Sequence, residues 1–211
     1  MRFLLLALLM APTVLNAQSR TLDIYWIDVE GGASTLIVSP SGESMLIDTG
    51  FDVDDRDAKR IYATAQQAGL KRIDHLVISH YHRDHVGGLA ALSKMMPIGR
   101  YYGRGDETEA VNLVWLNSFK TASAGKRTVV KPGTEIPFKG VQALVVASDN
   151  TFLERPVNSG GPNPLCADAE RKAGVGPENA LGVGVRQRRV VGEAVRRRDA
   201  RISRIDENFA G

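Results

Sequence analysis

The sequence predicts a layered α/β fold in which strands and helices alternate along the chain. Two observations support this prediction. Short apolar runs with the two-residue period of a strand are separated by stretches with the period of a helix. The 211 residues, of which 43% are hydrophobic, are also enough to bury one core. We detect no internal repeat, so a repeat architecture is not expected.

The first predicted elements form a strand meander, because turn residues separate three short apolar runs. The turns lie at Glu30-Gly31-Gly32 and at Pro40-Ser41-Gly42. The three strands are expected at Leu22 to Ile27, Ser34 to Val38 and Ser44 to Ile47.

Helices and strands alternate after the meander. A helix is expected over Asp57 to Ala68, since apolar side chains recur on one face and Gly69 follows its end. The later elements are a strand over Ile73 to Ser79, a helix over Leu89 to Met95, and two strands within Val129 to Ser148 that meet at the Lys139-Gly140 turn.

Four side chains able to bind a metal stand within six residues, directly after one predicted strand. They are His80, His82, Asp84 and His85. Histidine is the commonest metal ligand at neutral pH, and zinc accepts both imidazole nitrogen and carboxylate oxygen. The spacing therefore indicates a metal-binding loop.

Strand geometry separates the histidines into two groups. If the extended backbone persists to His82, then His80 and His82 point the same way, as a chelating pair must. His75 points to the opposite face, and we interpret it as a packed or hydrogen-bonded structural histidine. Asp84 could also cap a helix, and Asp48 could simply be a turn residue at the end of a buried strand.

Other polar residues have plainer interpretations. Glu30 either lines the mouth of the site or belongs to a solvated turn. Cys166 is the only cysteine, and we interpret it as an ordinary loop residue. A polar and aromatic cluster follows a later apolar strand. It either touches substrate or forms a surface loop, and we favour the surface loop. Its members are Tyr101, Tyr102, Arg104 and Asp106.

The H-x-H-x-D-H pattern after a strand resembles the metallo-β-lactamase superfamily. Leu46-Ile47-Asp48-Thr49-Gly50 is similar to that superfamily's first motif, an apolar strand ending in Asp-x-Gly, and Val86-Gly87-Gly88-Leu89 is similar to the helix start behind its metal loop. The segment from Ile24 to Ser34 is most similar to the secreted branch related to the competence-protein hydrolase domain. The resemblance runs from about Thr21 to Asn150 and fades by about Asn179.

The resemblance implies an αββα sandwich, of which the first half and part of the middle are recognisable. It implies two Zn²⁺ ions, one held by His80 and His82 and the other by Asp84 and His85. Asp84 is also the expected catalytic residue, and Asp48 the carboxylate behind the ligands that orients the loop. The superfamily completes these sites with a later His, a bridging Asp and a final His, whereas this sequence has no histidine after residue 85.

The N-terminus is typical of an exported protein. Residues 1–17 read as a signal peptide, with Arg2 before an apolar run and a cleavage point after Ala17. An uncleaved anchor or a packed helix is the alternative, but the run is shorter than the roughly 20 residues of a spanning helix. We expect a periplasmic or secreted protein, without a transmembrane span once the signal is removed.

The last segment differs from the rest in composition. Residues 21–179 form the expected metallo-β-lactamase-like domain, and residues 180–211 an arginine-rich tail with eight arginines against four acidic residues. The tail is either a basic amphipathic helix or the out-of-frame translation of a GC-rich gene. We favour the second, non-native or disordered interpretation, because the composition changes where the superfamily pattern is lost.

Three functions follow from these observations. The first is a zinc-dependent hydrolase, whose substrate is unknown but is expected to be a phosphodiester or another ester-like small molecule. The second is an inactive, truncated remnant that binds metal weakly. The third is a binder of nucleic acid or an anionic surface through the tail, which is disfavoured because the formal charge of +3 is concentrated there and the body is nearly neutral. The oligomeric state is not predicted.

Overall fold

The computed structural model describes residues 21–106, 110–155 and 157, together with the backbone of two strands further along the chain. Within these residues it contains two β-sheets and one layer of helices. The predicted mixed α/β fold is confirmed, with three layers of the αββα sandwich present in the described part of the chain.

The first sheet has seven strands among the described residues. In chain order they are β1 Leu22–Trp26, β2 Thr35–Val38, β3 Ser44–Ile47, β4 Ile73–Ile78, β5 Ile98–Gly103, β6 Arg127–Val129 and β11 Ala200–Arg204. Their order across the sheet is β11-β1-β2-β3-β4-β5-β6. The predicted meander β1-β2-β3 is antiparallel, and β3 to β6 run parallel to one another.

The second sheet is smaller. Its described strands are β7 Glu135–Ile136, β8 Val141–Ser148, β9 Thr151–Phe152 and β10 Gly182–Gln187. β8 lies between β7 and β10, and it also pairs with β9. The hairpin predicted at the Lys139-Gly140 turn is present, since β7 and β8 pair antiparallel across it. The predicted first strand is divided, because its start at Val129 belongs to β6 of the first sheet. Pro132-Gly133 breaks the chain between β6 and β7, with Gly133 at φ 90°.

Helices cover the outer face of the first sheet. They are α1 Arg56–Gln67, α2 Arg83–Val86, α3 Leu89–Met95 and α4 Leu113–Ala122, with short 3-10 turns at Val53–Asp55 and Ala110–Asn112. Ile61 of α1, Leu92 of α3 and Phe119 of α4 are fully buried in one core with Leu76 and Ile78 of β4. None of the helices in the described ranges is long and apolar enough to cross a bilayer.

A second core lies between the sheets. Val77, on the opposite face of β4 from Leu76, packs with Tyr102 of β5 against Phe138 and Val145. Alternation along β4 thus feeds one core from each face, as the strand pattern predicts. The surface-loop interpretation of the cluster at residues 101–106 is wrong for three members, because Tyr101, Tyr102 and Arg104 are at most 4% exposed.

Three predicted features lie wholly or partly outside the described residues. The signal peptide at residues 1–17 and Cys166 are among these, so their roles stay predictions. The tail at residues 180–211 contains β10 and β11, so the structure assigns a strand at residues 200–204 where one interpretation has a helix. The domain boundaries and the origin of the tail also remain predictions.

Candidate metal centre

Polar and titratable residues follow three neighbouring strands at one edge of the first sheet. Asp48 and Thr49 come directly after β3, the loop from Ser79 to His85 follows β4, and Arg104 follows β5. Because β3, β4 and β5 are parallel, their carboxyl ends meet at the same edge. Open α/β sheets bind their ligands at this edge.

His80 and His82 face each other across one side of the loop. His80 Nε2 lies 3.0 Å from His82 Nδ1, as the predicted chelating pair requires. Two nitrogens bound to one tetrahedral zinc at 2.0–2.1 Å would be about 3.3–3.4 Å apart, so the pair is within a few tenths of an ångström of that spacing. Burial, followed by repulsion from His85 and His82, lowers the pKa of His80 to about 4. The neutral ring, which can donate an electron pair, is therefore its usual form.

Asp84 and His85 form a second pair. Asp84 Oδ2 lies 3.4 Å from His85 Nε2, the separation of two donors on one tetrahedral metal. The alternative that Asp84 caps the helix is wrong, because α2 begins at Arg83 and its N-cap is His82. Both parts of the predicted ligand set are thus arranged in pairs, in the order that the superfamily resemblance implies.

Asp48 lies behind the second pair and is 3% exposed. His85 Nδ1 lies 2.8 Å from Asp48 Oδ2, so the other nitrogen of the ring, Nε2, is turned towards Asp84. Burial lowers the pKa of His85, but the hydrogen bond and charge of Asp48 and the charge of Asp84 outweigh it and raise the pKa above its ordinary value. This carboxylate–histidine arrangement is the one that orients metal ligands in many proteins.

Main-chain hydrogen bonds hold the loop against its neighbours. The amide of Ala33 donates to the carbonyl of Asp84 (3.1 Å), and the amide of Thr49 donates to the carbonyl of His85 (2.7 Å). The Thr49 hydroxyl donates to the same His85 carbonyl at 3.0 Å. Gly88, directly before α3, must lack a side chain, because a Cβ there would lie 2.2 Å from the Thr49 carbonyl oxygen. These hydrogen bonds therefore fix the loop on both sides.

The donor atoms suit zinc, but each of the two pairs forms only part of a zinc site. Each pair supplies two donors, whereas a catalytic zinc usually has three protein ligands and an open position. Among the side chains that the structure describes, no three His, Cys, Asp or Glu groups are arranged to hold one metal ion. The chemistry and spacing of the pairs thus match a zinc-binding loop, and a third donor for each metal would have to come from elsewhere.

Comparison with known proteins identifies the family. The family model described as "Metallo-beta-lactamase superfamily" matches residues 27–164, which include the whole loop from Ser79 to His85. The chain belongs to this superfamily. The resemblance noted in the sequence is thereby confirmed, and the roles of individual residues remain predictions.

Several superfamily relatives match part of the chain. A UPF0173 metal-dependent hydrolase from Cupriavidus metallidurans is 27% identical over 122 residues, 58% of this chain and 40% of the relative. Integrator complex subunit 11 of Danio rerio is 27% identical over 100 residues, 46% of this chain and 17% of the relative. A motif mutant of a metallo-β-lactamase from Cronobacter sakazakii has 17% identity and a TM-score of 0.41, covering 72% of this chain and 51% of that one. The chain therefore spans about half or less of each protein.

Sequence reasoning missed two residues that shape this superfamily site. Ser79 contacts Asp48 and the rings of His80 and His85. Asp57, fully buried, accepts a 2.7 Å hydrogen bond from the amide of Phe51 and so holds the loop that follows Asp48. Strand alternation predicted Ser79 on the face of β4 that carries His75 and Val77, away from His80. Asp57 has the sequence context of an ordinary residue in the first turn of a helix.

Two other interpretations are settled by the structure. His75 is 4% exposed, and its Nδ1 lies 3.2 Å from the Tyr102 hydroxyl on the inter-sheet face, so its structural role is confirmed. Glu30 lies in an exposed turn and forms a 2.6 Å ion pair with Arg56.

Proposed function

We propose that this protein is a metal-dependent hydrolase and that its metal, zinc, is held by the loop from His80 to His85. One observation carries the proposal: two donor pairs stand side by side, with separations of 3.0 Å and 3.4 Å. These separations are close to the donor spacing of tetrahedral zinc. Superfamily membership and the similarity to the UPF0173 metal-dependent hydrolase from Cupriavidus metallidurans support a metal-dependent hydrolase.

Each side chain has a defined task in this proposal. Burial keeps His80 neutral, so that its Nε2 can donate to the metal alongside His82 Nδ1. Asp48 holds His85 through Nδ1, which turns Nε2 towards Asp84. Asp84 supplies the negative donor, and we propose it as the catalytic residue. A divalent metal held by these residues would supply Lewis acidity, which would polarise an ester and lower the pKa of water so that hydroxide is available as a nucleophile near neutral pH.

A phosphodiester or a related ester is the proposed substrate class. This part rests on the superfamily resemblance of the opening segment. The exposed location of His82 beside the half-buried Asp84 leaves the loop accessible from solvent, as a hydrolytic site requires. Export to the periplasm or medium, expected from residues 1–17, is proposed as well.

Zinc titration of the full chain tests the metal site. His82→Ala removes one donor of the first pair, and we expect a lower stoichiometry or an affinity at least about 10–100-fold weaker. His75→Gln is the matched control, since this buried histidine lies on the opposite face of β4 and should leave zinc uptake unchanged. Equal zinc uptake by wild type and His82→Ala would place the ligands elsewhere.

Hydrolysis tests the reaction itself. A panel of phosphodiesters and carboxylic esters should show turnover that a chelator removes, that zinc restores and that His80→Ala abolishes. The lack of a third donor among the residues that the structure describes favours a second candidate, an inactive remnant that binds zinc weakly. Zinc binding sensitive to His82→Ala, but without turnover on any ester, would favour the remnant.

A further inference from the structure

We propose that Ser79 is a positioning residue that sets which ring nitrogen of His80 and His85 is available to a metal. The inference deepens the proposed function and rests on it only for the identity of the ligand. It begins with a change of direction in the chain. β4 ends at Ile78, so Ser79 leaves the strand alternation and turns towards the metal loop.

Ser79 is held by both oxygens of one carboxylate. Its amide donates to Asp48 Oδ1 at 2.7 Å, and its hydroxyl donates to Asp48 Oδ2 at 2.7 Å. Asp48 is itself fixed, because it is 3% exposed and its amide donates to the carbonyl of Val77 at 2.9 Å. The orientation of the Ser79 hydroxyl is thus defined by a rigid neighbour.

The direction of these hydrogen bonds fixes the histidine tautomers. A serine hydroxyl has one proton to donate, and in this arrangement Asp48 accepts it. Ser79 Oγ can then only accept from His80 Nδ1 (3.0 Å) and His85 Nδ1 (3.1 Å). Both rings therefore carry their proton on Nδ1 when neutral. Their free electron pairs lie on Nε2, the atoms that face His82 and Asp84.

The two histidines depend on Ser79 to different degrees. Among the described residues, the one hydrogen-bond partner of His80 Nδ1 is Ser79 Oγ. His85 Nδ1 has a second and closer partner, Asp48 Oδ2 at 2.8 Å. Loss of the Ser79 hydroxyl should release the tautomer of His80 while Asp48 still holds that of His85. This asymmetry gives the experiment an internal control.

Long-range ¹H–¹⁵N spectra of the metal-free full chain report the tautomers directly. At about pH 9, well above the ordinary histidine pKa of about 6.5, wild type should show His80 and His85 protonated on Nδ1. In Ser79→Ala, His80 should gain the Nε2-protonated form and His85 should not. Ser79→Thr, which keeps the hydroxyl, should match wild type. Wild-type His80 protonated on Nε2 would overturn the proposal, even if Ser79→Ala failed to fold.

Zinc affinity provides the functional arm. We expect Ser79→Ala to bind zinc about 10–100-fold more weakly than wild type, with recovery in Ser79→Thr. Weaker zinc binding with unchanged tautomers would overturn the role assigned to Ser79. A wild-type chain that shows the expected tautomers but takes up no zinc would refute the proposed function and leave the tautomer assignment standing.

Discussion

The hydroxyl of Tyr81, which stands between the two histidines of the first pair, donates a 2.8 Å hydrogen bond to the main-chain carbonyl of Arg104. The Arg104 guanidinium lies over the Tyr81 ring, 5.1 Å from its centroid, and contacts Asp149 at 3.2 Å. Asp149 belongs to the tight turn between β8 and β9. The metal loop is therefore connected through Tyr81 and Arg104 to the second sheet.

Replacing Tyr81 by Phe should loosen the metal loop. The change removes one buried hydrogen bond, so the free energy of unfolding should fall by about 1 kcal/mol. Zinc affinity should fall as well, because the histidines on either side lose an anchor. Tyr101→Phe is the control: this buried ring lies 6.1 Å from Phe119 between centroids, much as the Tyr81 ring does at 5.7 Å, but it does not bond to the loop. Denaturant unfolding and zinc titration measure both effects, and equal losses in the two variants would contradict the prediction.

Gly50 allows the turn behind the ligands to form, and Gly50→Ala should be strongly destabilising. Its φ is +64°, and an added Cβ would lie 2.5 Å from Oδ2 of the buried Asp57. We expect a left-handed strain of about 1–2 kcal/mol, plus about 1–3 kcal/mol from the clash.

A second glycine separates these two costs. Gly69 has nearly the same φ, +73°, but an added Cβ would have no neighbour within 4 Å. Gly69→Ala should therefore show the strain alone. Chemical denaturation of both variants gives the difference, and the clash with Asp57 would be refuted if Gly50→Ala cost no more than Gly69→Ala.

The parts of the site that the sequence predicts correctly are those encoded locally. His80, His82, Asp84 and His85 share one short loop, so their spacing alone indicates a common ligand. The limit of β4 is less local. Alternation extended the strand to Ser79, whereas it ends at Ile78, and the hydroxyl of Ser79 consequently reaches Asp48 rather than the inter-sheet core.

Contacts between residues far apart in the chain are harder to predict from sequence patterns. Tyr81 bonds to a main-chain carbonyl 23 residues away, and a carbonyl has no residue type that a pattern could reveal. Tyr102 looked like part of a surface loop because polar residues follow it, yet β5 lies between β4 and β6 and is covered on both faces. The predicted strand that starts at Val129 is divided at Pro132-Gly133, so that its two parts join different sheets. Which sheet each part joins depends on the sheet edges that the other strands leave open.

His75 should make stability depend on pH. Burial lowers the pKa of this histidine, and the negative charges of Glu43 and Asp74 offset the effect only partly. Above the ordinary pKa of about 6.5, the ring is neutral in both the folded and the unfolded protein, so its contribution is constant. As pH falls below that value, the unfolded chain takes up the proton first, and the folded state loses up to about 1.4 kcal/mol per pH unit.

Comparison with His75→Gln isolates this dependence. Glutamine does not titrate, and His80 and His85 contribute equally to both proteins because they lie on the other side of β4. Between pH 7 and 5, wild type should therefore lose stability more steeply than the variant, as measured by urea unfolding. Parallel pH profiles would show that His75 is protonated without cost in the folded state.

The pairing of two strands in the arginine-rich tail provides a test of whether the tail is native. β11 pairs with β1 at the edge of the first sheet, and β10 pairs with β8 in the second. A chain ending at Asn179 would lose both pairings and leave β1 as an open edge, which favours association between copies. A chain ending at Arg204 keeps both strands and is the matched control.

If the pairings are native, the chain ending at Asn179 should unfold at lower denaturant concentration than the control and should scatter more light at equal concentration. Amides of β8 that bond to β10 should also exchange hydrogen faster in the shorter chain. If residues 180–211 are instead a non-native extension, removing them should leave β8 exchange unchanged and should not increase association. The two interpretations thus predict opposite changes in the same measurements, and the hydrogen bonds of β8 report which one applies.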